Sequence, residues 1–530
     1  MTLRRRMTRA DLLQTLHNMP TYDLVVVGGG ATGLGVALDA VLRGFSVLLV
    51  ESHDFASGTS SRSTKLLHGG VRYLAQGHLP LVREALHERA TLLRTAPHLA
   101  QALGFVLPAY RWWQRPFYGL GLRLYDLLAG RAALGATRLL DAAQTASALP
   151  GVNTRGLRGG VQYWDGQFED ARLALALARS IERAGTAVLN YMQVQALTRL
   201  DPHADARLAL TLHNRREGGS HTVRARVVVN ATGVWVDALR QASPWPASPS
   251  RLVTASQGVH LVVPRRFMPG QQALLVPRTA DGRVLFVVPW LGALILGTTD
   301  TPREDVPREP LARDEEIDFI LREARRVLQQ PITRADVQSV WCGLRPLVAH
   351  DKTSTSALSR EHAIVTDEGG LVSVTGGKWT TYRAMAEQVM QACFAAGWLP
   401  DRAGGQTATH VLVGADASSP QGQAVEHTAL HDSPGWHLYG HEASLVRALP
   451  GATHVLGMGL TEAMVRFAAQ HEYAWTVEDV LARRWRALFL DSRQAHAMAP
   501  AVAQILKEET GLDPQLATFE ALCAHYTCRA

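Results

Sequence analysis

The chain contains 530 residues, of which 47% are hydrophobic and 19% are charged, and its mean hydropathy is close to zero. This composition is typical of a folded globular protein rather than a disordered one, and the length predicts about two to four packed units. The net charge of +7 reflects 54 basic against 47 acidic residues. Because the basic residues form no dense stripe or helical reading element, we expect no nucleic-acid partner.

The cysteines and the N-terminus indicate the compartment. The four cysteines include no CxxC pair, and four in so long a chain do not make a disulfide framework, so a reducing compartment is expected. Residues 1–20 have a basic start but no following apolar run of signal-peptide length, so no secretion signal is predicted. We interpret them as an N-terminal extension with a short basic amphipathic helix. The longest uncharged stretches are shorter than the ~20 residues that span a bilayer, so no transmembrane helix is predicted.

The first predicted element is a βαβ unit over residues 22–50, in which an apolar run leads through a glycine cluster into a helix and a second apolar run. Gly28, Gly30 and Gly33 form a GxGxxG motif at the helix start, and Glu51 follows the second run. Such glycines allow the backbone to approach a pyrophosphate closely, and the glutamate can accept hydrogen bonds from ribose hydroxyls. The context favours dinucleotide binding over a simple glycine-rich turn.

The next segment, SSRSTKLLHGGVRYL at residues 60–74, has neither a helical nor a strand period. Residues 59–65 carry five hydroxyls and two cations within reach of the same pyrophosphate. A nicotinamide site would not require this additional polar segment. The glycine pair that follows, Gly69 and Gly70, lets a flat ring system lie against the backbone. These features favour FAD over NAD, while a solvated loop is the alternative by composition alone.

Downstream, helical and strand patterns alternate. Apolar residues that recur three and four positions apart predict helices between about residues 75 and 150, and again over residues 170–184. A strand is predicted around Val188–Val194. Several β-rich runs between Gly258 and Thr299 then predict an antiparallel sheet, inserted between parts of the first domain.

Two later strand ends carry glycines that suit a flavin. A strand over Val223–Val229 runs into the sequence NATG, and a strand near residue 372 meets Gly376 and Gly377 before a helix that begins near Thr380. A helix N-terminus aimed at the flavin pyrimidine would stabilise negative charge on the reduced ring. A loop rich in small residues after about residue 400 predicts a domain boundary, followed by helices.

Five motifs, in this order and spacing, resemble the FAD-dependent glycerol-3-phosphate dehydrogenase family: GTSSRSTKLLHGGVRYL, VVNATGVWVD, LGTTD, GLRPL and GGKWTTYR. The resemblance extends from about Tyr22 to Glu387, and the helical tail resembles the C-terminal domain of that family more loosely. It implies an α/β fold in which a glutathione-reductase-like FAD-binding Rossmann domain is interleaved with an antiparallel-sheet substrate domain and precedes a C-terminal α-helical domain.

The domain boundaries that follow are approximate. The FAD-dependent oxidoreductase region is expected over residues 21–395 and the C-terminal helical domain over residues 405–530. Within the first region, FAD-binding segments are expected at about 21–95, 155–240 and 340–395, and the substrate subdomain largely at 96–154 and 241–339.

The resemblance implies oxidation of sn-glycerol 3-phosphate to dihydroxyacetone phosphate, with hydride passing from substrate C2 to FAD and electrons then to a membrane quinone. By position it implies three catalytic residues, His68, Arg72 and His260. It implies five substrate-binding residues, Arg72, Tyr73, Arg345, Arg360 and Lys378. The predicted cofactor-binding residues are Gly28, Gly30, Gly33, Glu51, Thr59, Ser60, Ser63, Thr64, Lys65, Gly69, Gly70, Val194, Ala231, Thr232, Gly233, Gly377, Lys378 and Thr380. No metal site is expected.

Elementary chemistry agrees with these assignments. A phosphate carries close to two negative charges near neutral pH, so its site needs several arginine or lysine donors. Hydride loss from a secondary alcohol also needs a base for the hydroxyl proton, and histidine suits that task near neutrality. His68 and His260 remain alternatives for this base.

The chain departs from the family pattern at three places. Gln257-Gly258-Val259-His260 stands where the family commonly has KGSH, Trp379 stands where leucine is common, and Val234 replaces a common proline. The first two departures bear on the shape of the pocket and hence on the substrate; little consequence is expected from Val234.

Residues 105–127 interleave aromatic side chains with arginines, as does a surface at a lipid interface, although a buried helix pair is the alternative. The family resemblance favours a cytoplasmic protein peripherally associated with the inner membrane. The basic N-terminal helix would add attraction to anionic lipid. A homodimer is compatible with the sequence, which does not determine the oligomeric state.

Three other functions compete with this interpretation. One is a glycerol-3-phosphate oxidase that uses oxygen and makes peroxide, although such relatives usually carry an internal insertion that this chain lacks. Another is a flavin dehydrogenase for a different hydroxy acid or amino acid, against which the cluster of basic residues argues. The third is a non-catalytic flavin-fold binding protein, which predicts lost glycines or histidines, whereas both sets are intact.

Overall fold

The computed structural model describes residues 9–18, 21–70, 74, 77–201, 205–243, 251–349, 362–415 and 429–529. Three of the predicted site residues, Arg72, Tyr73 and Arg360, lie outside the described residues. Two large sheets, of eight and ten strands, dominate the part of the chain before residue 400. Helices follow in the C-terminal part.

The strands are, in chain order, β1 Thr21–Val27, β2 Val47–Val50, β3 Leu66–Leu67, β4 Ala100–Ala109, β5 Arg138–Leu140, β6 Gly159–Phe168, β7 Ala187–Leu189, β8 Met192–Arg199, β9 Leu208–Asn214, β10 Ser220–Asn230, β11 Val253–Pro264, β12 Ala273–Val276, β13 Leu285–Trp290, β14 Ala293–Gly297, β15 Thr301–Arg303, β16 Ser339–Val348, β17 His362–Asp367, β18 Leu371–Gly376, β19 Val455–Gly457 and β20 Leu460–Thr461.

The α-helices are α1 Arg9–Asn18, α2 Ala31–Leu42, α3 Leu79–Thr95, α4 Gln114–Ala129, α5 Ala142–Ala148, α6 Asp170–Arg183, α7 Val236–Gln241, α8 Asp314–Val327, α9 Tyr382–Ala395, α10 Ala443–Arg447, α11 Glu462–His471, α12 Ala487–Leu490, α13 Ser492–Thr510 and α14 Leu516–Tyr526. A π-helical turn spans Asp479–Arg484. Among the described helices, none is both long enough and apolar enough to cross a bilayer.

The first sheet has the order β17-β18-β10-β1-β2-β7, and β8 and β9 extend it from β10. Its central strand β1 pairs in parallel with β10 and β2, as the βαβ pattern predicts. Leu24 and Val26 face the helices α2, α6 and α9, whereas Val25 and Val27 face the layer formed by β8, β9 and α1. The nearly continuous apolar run of β1 is explained by this burial on both faces.

The second sheet has the order β15-β11-β14-β13-β12-β4-β6-β3, with β16 paired along β11. The antiparallel pairing of β11, β13 and β14 confirms the sheet predicted between Gly258 and Thr299. Helix α8 packs on this sheet through Ile317, Ile320 and Leu321. The predicted α/β fold, with its two interleaved sheets, is therefore confirmed.

The structure corrects several predicted boundaries. Residues 100–109 form strand β4 instead of helix, because they pair along their whole length with β6. Strands β3, β6 and β16 belong to the second sheet, although they lie largely within the segments at about 21–95, 155–240 and 340–395 that are predicted to bind FAD. The strand predicted at Val188–Val194 is two strands, β7 and β8, which pair with different neighbours.

The C-terminal helices cover the second sheet and are joined to the first domain by buried ion pairs. One apolar core combines Trp290 and Trp341 of the second sheet with Trp485 and Phe489 of the C-terminal part. The Arg172 side chain of α6 donates to a Glu472 carboxylate oxygen at 2.6 Å. The helical domain therefore stabilises the arrangement of the two sheets.

Candidate active site

A cavity of about 2020 Å³ lies between the two sheets, at the carboxyl ends of β1 and β10. Ligands of open α/β sheets bind at this edge, where strand ends from different parts of the chain meet. The cavity exceeds the ~300–1,000 Å³ of an ordinary small-molecule site, as an extended dinucleotide together with a substrate would require. Both sheets contribute to its walls.

Most of the predicted cofactor residues lie in the cavity wall. Those that line it are Gly28, Gly30, Glu51, Thr59, Ser60, Ser63, Thr64, Gly70, Val194, Ala231, Thr232, Gly233, Gly377, Lys378 and Thr380. Gly33, Lys65 and Gly69 do not line it, and each has a different structural role.

The glycine loop is packed too closely for side chains. Gly28 has a φ of 115°, and a Cβ atom there would lie 2.6 Å from the Ala231 carbonyl oxygen. A Cβ atom on Gly33 would lie 1.9 Å from the Gly28 carbonyl oxygen, so this glycine closes the loop onto α2 instead of facing the cavity. At the start of α2, the Ala31 N–H donates to the Ser60 hydroxyl at 3.0 Å. The loop therefore presents its backbone and a helix N-terminus to the cavity, which fits a dinucleotide pyrophosphate.

Glu51 fixes the same loop. One of its carboxylate oxygens accepts from the Gly29 N–H at 2.7 Å, and the other accepts from the His53 N–H at 2.9 Å. The side chain also lines the cavity, where its remaining lone pairs could accept from a ribose.

The hydroxyls of residues 59–65 are held by bonds within the protein. Thr59 donates to the Leu344 carbonyl at 2.6 Å, Ser63 donates to Asp170 at 2.7 Å, and Thr64 lies 2.9 Å from Nε2 of His260. The segment therefore joins α2, α6 and the second sheet, and the same residues form part of the cavity wall.

Lys65 was predicted to reach the cofactor, and the structure corrects this. Its ammonium is fully buried, lies 2.7 Å from an Asp170 carboxylate oxygen and donates to the Ser61 carbonyl at 2.9 Å. An ammonium buried in the interior needs such a partner, which draws the side chain away from the cavity. Burial lowers the pKa of Lys65 to about 8, although Asp170 opposes this shift.

Gly69 is a packing residue in the structure. Its N–H donates to the Tyr125 hydroxyl at 2.8 Å, and a Cβ atom there would lie 2.6 Å from the same oxygen. Tyr125 in turn donates to Asp165. The glycine therefore permits a close contact with α4, while its neighbour Gly70 lines the cavity.

The second sheet carries two of the predicted site side chains, His260 on β11 and Arg345 on β16. His260 on β11 is buried, and its Nδ1 has no hydrogen-bond partner among the described residues. Its imidazole stacks on the Trp341 indole with ring centroids 4.1 Å apart. Burial, together with the charges of Lys65 and Arg345, holds the pKa of His260 well below its usual value. His68 lines the same cavity.

Arg345 lies in the cavity wall beside Asp300, with 3.2 Å between Nη1 and Oδ1, and donates to the Thr298 hydroxyl at 3.0 Å. Gly258 leaves the space for this guanidinium, since a Cβ atom there would lie 2.3 Å from Nη2. Lys378 lines the cavity from the opposite sheet, just after β18. Two basic side chains therefore face one cavity that also contains His260.

Two residues of the first departure from the family pattern, Gln257 and Val259, lie away from the cavity. Successive residues of β11 alternate between its faces, so Gly258 and His260 line the cavity, whereas Gln257 and Val259 do not. The Gln257 amide donates to Glu316 at 2.7 Å, and Val259 packs with α8. The replaced lysine and serine therefore do not change the pocket surface directly. Trp379, in contrast, lines the cavity.

Sequence reasoning missed a basic group near the glycine loop. Arg308 lines the cavity, contacts Nδ1 of His53 at 2.5 Å and donates to the Ser57 hydroxyl at 3.2 Å. Burial, followed by the charges of Arg308 and Arg215, lowers the pKa of His53 to about 2. No local motif surrounds Arg308, so only the pairing of distant segments reveals it.

Only part of the segment 105–127, predicted to lie at a lipid interface, is exposed to solvent. Phe105 and Leu107 are buried in β4, whereas Trp112 and several residues of α4 are exposed, with 76% of Trp112 accessible to solvent. Phe117, Leu120 and Leu124 of α4 are both exposed and part of the cavity wall. The exposed apolar side chains of α4 and of the two residues before it form a surface that we call the α4 face, which comprises Trp112, Trp113, Phe117, Leu120, Leu124 and Leu127.

Comparison with protein families matches residues 23–389 to the FAD dependent oxidoreductase model and residues 405–517 to the C-terminal domain of alpha-glycerophosphate oxidase. The chain is 39% identical to mitochondrial glycerol-3-phosphate dehydrogenase of Homo sapiens, over 96% of this chain and 73% of that protein. It is 36% identical to the Schizosaccharomyces pombe protein of the same name, over 96% and 87% of the two chains.

Among solved structures, the chain is similar to glycerol-3-phosphate dehydrogenase from Bacillus halodurans complexed with FAD, with a TM-score of 0.75, 29% identity and 98% of each chain covered. It also shares the fold of L-alpha-glycerophosphate oxidase from Mycoplasma pneumoniae, with a TM-score of 0.56 and 16% identity, over 74% of this chain and 98% of the other.

Proposed function

Since this chain belongs to the FAD-dependent glycerol-3-phosphate dehydrogenase family, we propose that it oxidises sn-glycerol 3-phosphate to dihydroxyacetone phosphate. FAD is the cofactor, and when bound it supplies the acceptor for the hydride that leaves C2 of the substrate. The observation that carries the proposal is the meeting of Arg345, Lys378 and His260 in the cavity that the glycine loop also lines.

Arg345 and Lys378 suit a phosphate dianion. A guanidinium binds phosphate through two parallel N–H donors, and an ammonium adds a compact charge. Asp300 offsets part of the positive charge of Arg345 and orients its guanidinium across the space above Gly258. Binding the phosphate at these residues would leave the glycerol end of the substrate for His260.

We assign the proton acceptor to His260 instead of His68. The buried imidazole is held uncharged by its surroundings, as a base requires before the reaction. Arrival of a phosphate dianion brings negative charge into the cavity, which raises the pKa of a nearby imidazole and improves its capacity to take the hydroxyl proton. Thr64, 2.9 Å from Nε2, orients the ring.

We further propose that the electrons pass to a membrane quinone. The cavity extends from the site past Leu81, Leu275 and Phe286 to the α4 face, which would give an apolar acceptor a path from a bilayer. Arg111 and Arg123 are exposed beside this face and would attract anionic lipid headgroups. On this proposal the protein is peripheral, on the cytoplasmic side of the inner membrane.

The test begins with the holoenzyme under anaerobic conditions. Addition of sn-glycerol 3-phosphate should bleach the visible absorbance of the flavin, and a short-chain quinone should restore it rapidly, whereas oxygen should restore it slowly. Rapid recovery with oxygen would instead favour an oxidase that makes peroxide. Flavin that stays oxidised with this substrate would contradict the assigned reaction and would be the result expected of a non-catalytic flavin-binding protein.

A separate test addresses the membrane. We expect the protein to sediment with anionic vesicles, and a variant with Leu120→Ser and Leu127→Ser to remain in the supernatant with its flavin bound. Both leucines are about three-quarters exposed, so their replacement should leave the fold intact. Equal sedimentation of both proteins would contradict the role of the α4 face.

A further inference from the structure

The proposed base, His260, is the first of three buried side chains that are stacked in a column with Trp341 and Lys65. The His260 imidazole lies nearly parallel to the Trp341 indole, with an interplanar angle of 17°. The Lys65 ammonium lies 4.7 Å from the centroid of the same indole. At most 2% of any of the three side chains is exposed. An ammonium, an indole and an imidazole are therefore packed together in the protein interior.

The Lys65 end of this column is fixed by charged groups on two other elements. Asp170 and Glu169 face it from α6, and Arg486, at the start of α12, lies 3.2 Å from Glu169 and 3.5 Å from Asp170. Two cations thus balance two anions. Such buried ion pairs give little net stability compared with apolar packing of the same volume, so stability alone does not account for them.

The His260 end has no anionic partner among the described residues. The groups that bear on its charge are the cations Lys65 and Arg345, and its hydrogen-bond neighbour is the neutral Thr64. On the neighbouring strand, a Cβ atom at Gly297 would lie 2.5 Å from Cδ2 of the ring. The imidazole is thus confined between the β14 backbone and Trp341, and no carboxylate in the described part of the chain compensates a positive charge on it.

We propose that Lys65 is a positioning residue for His260, which acts through Trp341 to fix the plane of the imidazole and to keep it uncharged and ready to accept a proton. The ammonium, rather than the Asp170 carboxylate, lies over the indole, so the positive end of the ion pair faces the histidine. This inference rests on the proposed function, because it gives a role to the base assigned there.

Arg345 and Lys65 act at different stages under this proposal. Arg345 lines the cavity, so a bound phosphate would offset its charge. Lys65 lies outside the cavity wall, and its ion pair is not accessible to the substrate. Its influence on His260 therefore persists when the substrate is bound.

The first measurement is the rate of anaerobic flavin bleaching by sn-glycerol 3-phosphate as a function of pH. Removing a cation raises the pKa of a neighbouring imidazole, so in Lys65→Met the acid limb of the profile should move to higher pH by about one unit. The rate should approach that of the unsubstituted protein at high pH. Lys65→Arg keeps the charge and should leave the limb in place. The double variant Lys65→Met, Asp170→Asn avoids an unpaired buried carboxylate. The acid limb of its profile should move in the same direction as that of Lys65→Met.

The second measurement requires no catalysis. The His260 ring can be titrated by NMR in the holoenzyme with labelled histidine, with its signal assigned from His260→Gln. We expect its pKa to rise in Lys65→Met and to stay close to that of the unsubstituted protein in Lys65→Arg, which keeps the positive charge. If the substrate fails to bleach the flavin in the unsubstituted protein, the proposed function is wrong, and this titration still decides the role of Lys65.

A purely structural role for Lys65 predicts a different result. In that case the variants that retain flavin would lose rate by the same factor at every pH, and the His260 titration would not move. Either finding in the double variant would overturn the proposal. Visible absorbance and the thermal midpoint establish that each tested variant is folded and holds FAD.

Discussion

The two walls of the cavity present different chemical groups to a ligand. The wall at the ends of β1 and β10 presents backbone, because Gly28 and Gly33 exclude side chains from the turn. The wall formed by β11 and β16 presents side chains, with His260 and Arg345 on strands that pair in register. Backbone groups suit a cofactor that stays in place, whereas placed side chains can respond to charge that changes during a reaction.

The largest effect is expected on the backbone wall. Gly33→Ala puts a Cβ atom 1.9 Å from the Gly28 carbonyl oxygen, and we expect the variant to lose FAD during purification and about 1–3 kcal/mol of stability. Visible absorbance and thermal melting measure both. Gly104→Ala is the matched control, since its Cβ atom would meet Gln272 at an ordinary 3.4 Å. Full FAD content in Gly33→Ala would show that the loop tolerates a side chain.

On the side-chain wall, His260→Gln should retain FAD and lose rate. Loss of a general base lowers the rate of flavin bleaching by about a hundred- to ten-thousand-fold, and stopped-flow absorbance measures it. His68→Gln should lose much less. If the two variants exchange these effects, the base is His68, and the buried histidine has a structural role.

Gly258→Ala tests the phosphate site without removing a charge. Its Cβ atom would lie 2.3 Å from Nη2 of Arg345 and displace the guanidinium. Because hydrogen bonds to charged groups contribute about 1.5–3 kcal/mol, we expect KM for the substrate to rise by about ten- to a hundredfold. FAD content should stay normal. An unchanged KM would mean that Arg345 does not hold the phosphate.

The smallest effect concerns His53, beside the glycine loop. Its pKa is lowered to about 2 in the folded protein. The unfolded chain therefore binds a proton near pH 6.5 that the folded protein does not, and stability falls as the pH drops below about 6.5. His53→Gln should reduce this fall in the thermal midpoint, whereas replacement of the exposed His525 should not. Parallel pH curves for all three proteins would exclude a contribution from His53.

The sequence predicted the fold of the glycine loop and its flanking elements because the signals for them are local. A glycine loop, the strand before it and the helix after it lie within about 30 residues, so spacing alone indicates their arrangement. Lys65 shows where this reasoning ended. Its motif was recognised, but its partner Asp170 lies 105 residues away, and that pairing turns the ammonium out of the cavity.

Strand β4 shows the same limit for secondary structure. Its apolar spacing also fits a helix, and the pairing with β6, some 60 residues later in the chain, decides between them. The stack of His260 on Trp341 could not be predicted either, because it depends on the register of β11 against β16.

By itself, the sequence determined the fold class, the cofactor and the family, since these depend on short motifs whose geometry is fixed by backbone sterics and helix termini. The tertiary structure alone decided which charged groups face the cavity and which neutralise each other in the core. That choice depends on the desolvation of ions and on which distant segments meet, and neither is encoded in local spacing.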